Sequence, residues 1–335
     1  MKKVLILYTG GTIGMTRGEN GYTPQKGKFL EALYAISDLS SPALPQWDLL
    51  ELDTLLDSSN MTVREWNEIA SVLCEQYDKY DGFVVLHGTD TMAYTASALS
   101  FMLEDLSKPV ILTGSQIPLC EVRSDGRENI ITSLLIAASD EVQEVCLYFG
   151  GKLLRGNRAT KYSADGLIAF VSPNCGSLAD AGIEIVYNRP LLRRNEKKKL
   201  HLQLLDDIPI GVLKVFPGIH FSLFESIMTE KLKGIVIETF GAGNIPGNGN
   251  ALLPIIEKAY RNGTVLTVCS QCLQGSVVLG AYETSGALKR AGAVSGRDMT
   301  TEAAVAKLYY LFSCGYDTAR IKELMEKDLR GEMRD

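Results

Sequence analysis

Four short stretches of this chain set hydroxyls, carboxylates and amides directly after apolar runs or turns. The first is Tyr8-Thr9-Gly10-Gly11-Thr12-Ile13-Gly14, at the end of the run 3–9. Paired glycines let backbone approach a ligand closely and leave N–H groups free to bind it. Thr12 is the hydroxyl carried within them. The stretch lacks the Gly-Lys-Ser/Thr ending of a phosphate-binding loop and is not a GxGxxG fingerprint. Alone, it also reads as a plain glycine turn. The second stretch, Leu86-His87-Gly88-Thr89-Asp90-Thr91-Met92, follows the apolar run 82–86. Helix capping by Asp90 or Thr91 accounts for one polar residue there, but not for a run of three. The third, Thr113-Gly114-Ser115-Gln116, ends the run 109–113. The fourth, Asp57-Ser58-Ser59-Asn60, precedes a helical segment and also reads as a turn with a cap.

The chemistry these pieces jointly support is acyl transfer. A threonine is a weak nucleophile until a base takes its proton. His87, His201 and His220 are the only histidines and are isolated, so neither a Ser-His-Asp arrangement nor a histidine-rich metal site is indicated. A lysine coupled to a carboxylate is an alternative base. Lys161, in Gly156-Asn157-Arg158-Ala159-Thr160-Lys161, lies in a polar stretch after the run 145–149. Its competing reading is a solvated surface lysine. The seven cysteines are odd in number and scattered, which argues against a disulfide framework. Cys269-Ser270-Gln271-Cys272 reads as a redox pair or as small residues at a strand end, and no zinc-finger spacing accompanies it.

These stretches need a scaffold that brings strand ends together. Apolar runs at 3–9, 82–86, 109–113 and 145–149 alternate with helical spacing at 62–77, 91–103 and 129–138. Thr62 and Glu65 form the capping-box pattern of the first of these helices. The alternation predicts an α/β fold with a mostly parallel sheet covered by helices on both faces. It resumes at 208–215 and 234–239 as strands, 251–261 as a helix and 263–268 as a strand, with closing helices at 301–312 and 318–326. The expected organisation is a larger N-terminal α/β catalytic domain over 1–188, a charged linker over 189–207, and a smaller parallel α/β domain over 208–335. In the linker the basic run 193–199 reads as a solvated connection rather than a nucleic-acid patch.

Composition agrees with a large folded core. Of 335 residues, 46% are hydrophobic and 22% charged. With 34 Lys+Arg against 40 Asp+Glu, the net charge of −6 provides no bulk attraction to nucleic acid or anionic membranes. No apolar run reaches the roughly 18 residues of a membrane helix. The opening Met-Lys-Lys-Val-Leu-Ile-Leu has too short an apolar part for a signal peptide, whose core needs about 7–15 residues, so it is expected to be a buried strand of a cytoplasmic protein.

Taken together, Thr9-Gly10-Gly11-Thr12-Ile13-Gly14 and His87-Gly88-Thr89-Asp90-Thr91-Met92 resemble the two signatures of the bacterial L-asparaginase family. Asp57-Ser58-Ser59-Asn60-Met61, Thr113-Gly114-Ser115-Gln116-Ile117-Pro118 and Arg155-Gly156-Asn157-Arg158 resemble its cytoplasmic type I branch. The likeness extends into the second half at Gly243-Asn244 and Gln271-Cys272.

The resemblance implies hydrolysis of L-asparagine to aspartate and ammonia without a cofactor or metal. It makes Thr12 the nucleophile and Tyr22 the lid tyrosine that closes over it. Thr89, Asp90 and Lys161 become a second polar triad, in which Lys161 makes the Thr89 hydroxyl more basic. An ammonium and a carboxylate held together stabilise each other, and a hydroxyl beside them can pass a proton. Backbone N–H groups near Gly11 and Thr89 are the implied oxyanion donors. Asp57, Ser58, Ser59 and Asp90 are the implied substrate contacts, with Asp90 facing the α-ammonium and Ser58 the α-carboxylate. Ser59 replaces the longer glutamine of the exported branch. Asn244 fits the part a neighbouring subunit supplies in a homotetramer built as a dimer of dimers, with Glu283 a weaker candidate. Some type I enzymes carry a second asparagine site at the segment matching Ser270, Gln271 and Cys272. Glu238 stands here in place of its arginine, which opposes the same effector geometry. The rival readings are an ammonia-donating subunit of a tRNA-dependent amidotransferase, whose extra N-terminal domain is not expected here, and an amino-acid sensor.

Overall fold

The run Val4-Leu5-Ile6-Leu7 carries no polar side chain, so a strand made from it must be covered on both faces. In the computed structural model of the chain it forms the buried heart of β1 (Lys3–Gly10), with each of these four side chains at most 1% exposed. The structure describes residues 1–18, 21–24, 26–194, 199–227, 229–246, 252–281 and 283–334. They divide into two units, Met1–Gln203 and Leu204–Asp335. The division falls within the charged stretch expected as a linker. Most of that stretch belongs to the first unit: Arg189–Leu191 forms a short 3-10 turn, and His201–Leu202 pairs antiparallel with Leu103–Glu104. Residues 195–198, from the basic run, lie outside the described residues.

The first unit is built on an eight-stranded sheet. Its further strands are β2 (Gln46–Leu56), β3 (Gly82–Leu86), β4 (Val110–Thr113), β5 (Val145–Phe149), β6 (Lys152–Arg155), β7 (Ala179–Ala181) and β8 (Ile185–Tyr187). The spatial order is β8-β7-β6-β5-β4-β3-β1-β2. Five strands, β2, β1, β3, β4 and β5, run parallel; β6, β7 and β8 continue the sheet antiparallel. The chain leaves β1 toward β2 on one side and returns to β3 on the other. The carboxyl end of β1 is therefore a topological switch point, where open α/β sheets bind ligands.

The helices of this unit are α1 (Phe29–Tyr34), α2 (Val63–Gln76), α3 (Met92–Met102) and α4 (Gly126–Ala137). The expected capping box is present at α2. Thr62 N–H donates to Glu65 Oε2 at 2.8 Å, and Arg64 N–H donates to Thr62 Oγ1 at 3.3 Å. Its Trp66, Ile69, Ala70 and Leu73 are buried. The small residues of α3 let it be buried on nearly all sides. β2 has no sustained apolar run, since Asp48, Glu51 and Asp53 interrupt its apolar residues. An edge strand paired only with β1 tolerates those charges.

The second unit holds a four-stranded parallel sheet in the order β9 (Ile210–Lys214), β10 (Gly234–Thr239), β11 (Val265–Ser270), β12 (Val294–Ser295). Helices α5 (Leu252–Arg261), α6 (Glu283–Arg290), α7 (Thr301–Ser313) and α8 (Thr318–Met325) accompany it. Ala251, the expected first residue of α5, lies outside the described residues. Ile235, Ile237, Ile256, Leu266, Val268 and Leu288 form its core. The chain end is tied in by Lys307 and Glu332, both fully buried and paired at 2.6 Å. Glu332 also accepts the N–H groups of Leu329 and Arg330, so its second oxygen is satisfied as well.

Candidate active site

The loops after β1, β2, β3 and β4 converge at the switch point. Gly10 and Gly11 adopt φ of +114° and +83°, which side chains rarely do, and turn the chain out of β1. The convergence is tight. A Cβ placed on Gly11 would lie 2.4 Å from the Gly88 nitrogen, and one on Gly88 would lie 2.5 Å from Ser58 Oγ. Gly11, Gly88 and Ser58 thus form a floor of three packed loops. Gly11 N–H donates to Leu56 O at 3.0 Å, and Thr9 Oγ1 donates to Leu86 O at 3.0 Å, tying the strand ends together.

Thr12 is half-buried and opens the 3-10 turn Thr12–Gly14. Because Gly11 N–H is engaged by Leu56, the donors this loop can offer a ligand are the N–H groups at the start of that turn, beginning with Thr12. A hairpin of Met15–Gly18 and Gly21–Pro24 follows and carries Tyr22 opposite Arg17. Tyr22 is 43% exposed, and its hydroxyl donates to Glu121 Oε1 at 2.7 Å, not to Thr12. By accepting that hydrogen bond, the Glu121 carboxylate favours the protonated phenol and raises the Tyr22 pKa.

Across the floor, Thr89, Asp90 and Lys161 meet. Lys161 Nζ donates to Thr89 Oγ1 at 2.9 Å and to Asp90 Oδ1 at 2.6 Å. Lys161 arrives on a two-residue strand, Thr160–Lys161, paired with Phe170–Val171. Thr89 is buried, while Asp90 faces outward with 63% of its side chain exposed. The solvated-surface reading of Lys161 therefore fails: the ammonium belongs to this cluster. Thr89 also donates to Gln116 Oε1 at 3.0 Å.

Ser58 is buried, and its carbonyl accepts the Thr91 hydroxyl at 2.8 Å. Asp57 accepts Ser59 N–H at 3.0 Å, so its carboxylate caps the turn Ser58–Asn60, as the turn-and-cap reading holds. Ser59 is exposed. Asn244 lies in the second unit, where Phe240 and Asn244 exchange backbone hydrogen bonds of 2.9 and 2.8 Å around Gly243, at φ +117°.

His87 is fully buried and structural. Its Nδ1 lies 2.7 Å from Gly88 O and its Nε2 2.9 Å from Thr95 Oγ1, while Trp66 Nε1 donates to Thr95 Oγ1 at 3.0 Å. A carbonyl only accepts, so Nδ1 carries the proton and Nε2 accepts from Thr95. Burial pushes the His87 pKa down to about 4, which keeps this donor chain neutral.

In the second unit, Cys269 is buried at the end of β11, and burial raises its thiol pKa to about 12. That opposes the redox reading of Cys269 and Cys272, and all seven cysteines are free. Gln271 Nε2 donates to Glu238 O at 2.8 Å and also to Val215 O, stapling the ends of β9 and β10. Glu238 accepts the Thr301 hydroxyl at 2.6 Å. Among the described residues no cluster of His, Cys, Asp or Glu is arranged to hold a metal.

Gln116 and Glu121 enter the site without a role assigned by the sequence. Gln116 carried one signal, its place at a strand end; Glu121 carried none, since only the fold brings it to Tyr22. Residues 3–193 match the family model described as Asparaginase, N-terminal, and residues 209–325 that of the Glutaminase/Asparaginase C-terminal domain. The chain is 45% identical to L-asparaginase 1 of Escherichia coli strain K12 over 333 residues, covering 99% of this chain and 98% of that one. The solved L-asparaginase I of Vibrio cholerae matches with a TM-score of 0.92 and 43% identity over 99% of both chains. The thermostable L-asparaginase of Thermococcus kodakarensis matches with a TM-score of 0.90 and 31% identity, again over 99% of both. With both of its units matched and such relatives along its whole length, the chain belongs to the asparaginase family.

Proposed function

We propose that this chain is an L-asparagine amidohydrolase, releasing aspartate and ammonia through an acyl-enzyme on Thr12. The observation that carries this reading is the Lys161 ammonium bonded at once to the Thr89 hydroxyl and the Asp90 carboxylate, on the floor shared with the Thr12 loop. Thr12 attacks the side-chain amide carbon, and its proton leaves through Thr89. Thr12 and Thr89 N–H groups receive the developing oxyanion; one such donor contributes on the order of 3 kcal/mol. Ammonia departs, water attacks the ester, and aspartate is freed. Asp90 faces the substrate ammonium and Ser58 its carboxylate, with Asp57 holding the Ser58–Asn60 turn and Ser59 leaving the pocket roomy.

Tyr22 closes over Thr12 once its hydroxyl leaves Glu121. Asn244 completes the pocket of a neighbouring subunit in a cytoplasmic homotetramer. Among the described residues no helix is long and apolar enough to cross a membrane.

Ammonia release from asparagine and from glutamine by the purified chain tests the reading. Glutamine's extra methylene puts the amide carbon and the Asp90 clamp out of register, and displacement of about 1 Å costs on the order of 100-fold, so asparagine is expected to lead by at least about 100-fold in kcat/KM. A ratio near one points instead to an ammonia donor for a partner enzyme, and no release from either to a sensor. T12A is expected to lose several orders of magnitude in kcat with substrate binding retained. More than about a tenth of the wild-type kcat in T12A would remove Thr12 from this role.

A further inference from the structure

We infer that Gln116 is a positioning residue for this reaction: its amide oxygen fixes the direction of the Thr89 hydroxyl proton and thereby presets Thr89 as a proton acceptor. The inference rests on the reading of Thr89 and Lys161 given above.

The amide can sit only one way round. Gln116 Nε2 lies 3.0 Å from Ala164 O and 3.2 Å from Gly166 O, two carbonyls that can only accept. Both N–H bonds must therefore face them, which turns Oε1 toward Thr89. That oxygen also only accepts, so the single Thr89 proton points at Gln116 across 3.0 Å. Lys161 Nζ donates to the same hydroxyl oxygen at 2.9 Å and occupies one lone pair. A hydroxyl has one proton and two lone pairs. Its second lone pair is left to receive a proton from the reacting groups.

The backbone of Gln116 is held as firmly. Its N–H is 3.1 Å from each Asp125 oxygen, Ile117 N–H is 3.0 Å from Asp125 Oδ1, and Asn129 Nδ2 reaches Asp125 Oδ2 at 3.3 Å from within α4. The loop that receives the amide is the one that follows Lys161, and Tyr162 N–H donates to Ala169 O at 2.7 Å to close it. Gln116 thus joins three elements, the β4 end, the β3 end and the Lys161 loop, at the hydroxyl that must change protons. Thr89 is 6% exposed, so solvent offers little to replace this partner.

The test uses the full-length protein with asparagine, reading kcat and KM by ammonia release, aspartate affinity by calorimetry, and fold by thermal melting. Gln116→Leu removes the acceptor and leaves the Thr89 rotor undirected. It is expected to lower kcat by about 10- to 100-fold, a part of the roughly 100- to 10,000-fold that general-base assistance supplies, while KM and aspartate affinity stay within about threefold. In a Thr89→Val background the same change should add less than about twofold, because no hydroxyl remains to orient. If Gln116→Leu does not fold, Gln116→Glu decides. Its carboxylate still accepts from Thr89 but sets an oxygen against the Ala164 and Gly166 carbonyls. Its kcat relative to wild type should climb as pH falls and protonation restores a donor, with KM steady. The inference is overturned by Gln116→Leu retaining more than a third of wild-type kcat, by a loss lying in KM and aspartate affinity, by an equal further loss in the Thr89→Val background, or by a pH-independent ratio for a folded Gln116→Glu. Absence of ammonia release by the wild-type chain would instead overturn the proposed function.

Discussion

Substituting Gly11 by alanine isolates the floor of the site. Two penalties follow from the geometry. The first is conformational: Gly11 has φ +83° and ψ 173°, a region essentially reserved for glycine, and a side chain there costs about 1–3 kcal/mol. The second is steric. The new Cβ would meet Gly88 N at 2.4 Å and Gly88 Cα at 2.5 Å, about 1 Å short of the 3.4 Å at which ordinary contact begins. Both obstacles are backbone, so neither can swing aside; the Thr12 loop or the Thr89 loop must move by about that distance. Misplacement on this scale costs on the order of 100-fold in rate. Gly263→Ala is a positive-φ control. Gly263 also has φ +83°, but nothing lies within 4 Å of its added Cβ, so it carries positive-φ strain without the clash. Both variants should melt below wild type, Gly11→Ala by more, at about 2–4 °C per kcal/mol for the larger unit and somewhat more for the smaller. Only Gly11→Ala should lose at least about 100-fold in kcat/KM for asparagine. Equal activity in the two variants, or more than a third of wild-type kcat/KM in Gly11→Ala, would refute the argument that loop spacing sets the chemistry.

Two further expectations follow from the network and from a buried histidine. Lys161→Met and Thr89→Val should each be severe in kcat, and the double variant little worse than either, because the groups act as one unit; fully multiplicative losses in a kinetic cycle would show independent roles. His87 has its pKa lowered to about 4 by burial, against about 6.5 when unfolded, so the unfolded chain binds the proton first as pH falls. Its contribution is complete above pH 6.5 and is lost between about 6.5 and 4, on the order of 3 kcal/mol. Urea unfolding across that range should show the slope, and His87→Gln should flatten it; an unchanged slope in the variant would assign it to other groups.

Local sequence carries the elements that face a dry environment on both sides or that have their own end signals. The runs 4–7, 82–86 and 145–149 hold no charged side chain, and a strand covered on both faces satisfies them. Thr62 and Glu65 name the start of α2 because a capping box is a contact between residues three apart. The edge strand β2 and the short antiparallel strands β6–β8 have no such mark. They are stabilised by pairing with chain far away in sequence, which one-dimensional periodicity does not contain.

The site divides along the same line. The sequence by itself determined which residue types stand after each apolar run: the glycines and hydroxyl at Gly10-Gly11-Thr12, the triplet Thr89-Asp90-Thr91, the serines after Asp57, and the amide of Gln116. Its three isolated histidines indicated neither a Ser-His-Asp triad nor a histidine-rich metal site. Tertiary structure decided which of these residues meet. Lys161 stands 71 positions from Asp90, and only strand order brings its ammonium to 2.6 Å from that carboxylate. Glu121 reaches Tyr22 across 99 positions. His87, which opens the second of these stretches beside Gly88 and Thr89, is buried, neutral and bonded to Thr95 and Gly88. The physical reason is that residue type and spacing set what a side chain can do, whereas proton direction, burial and partner are properties of where the chain crosses itself.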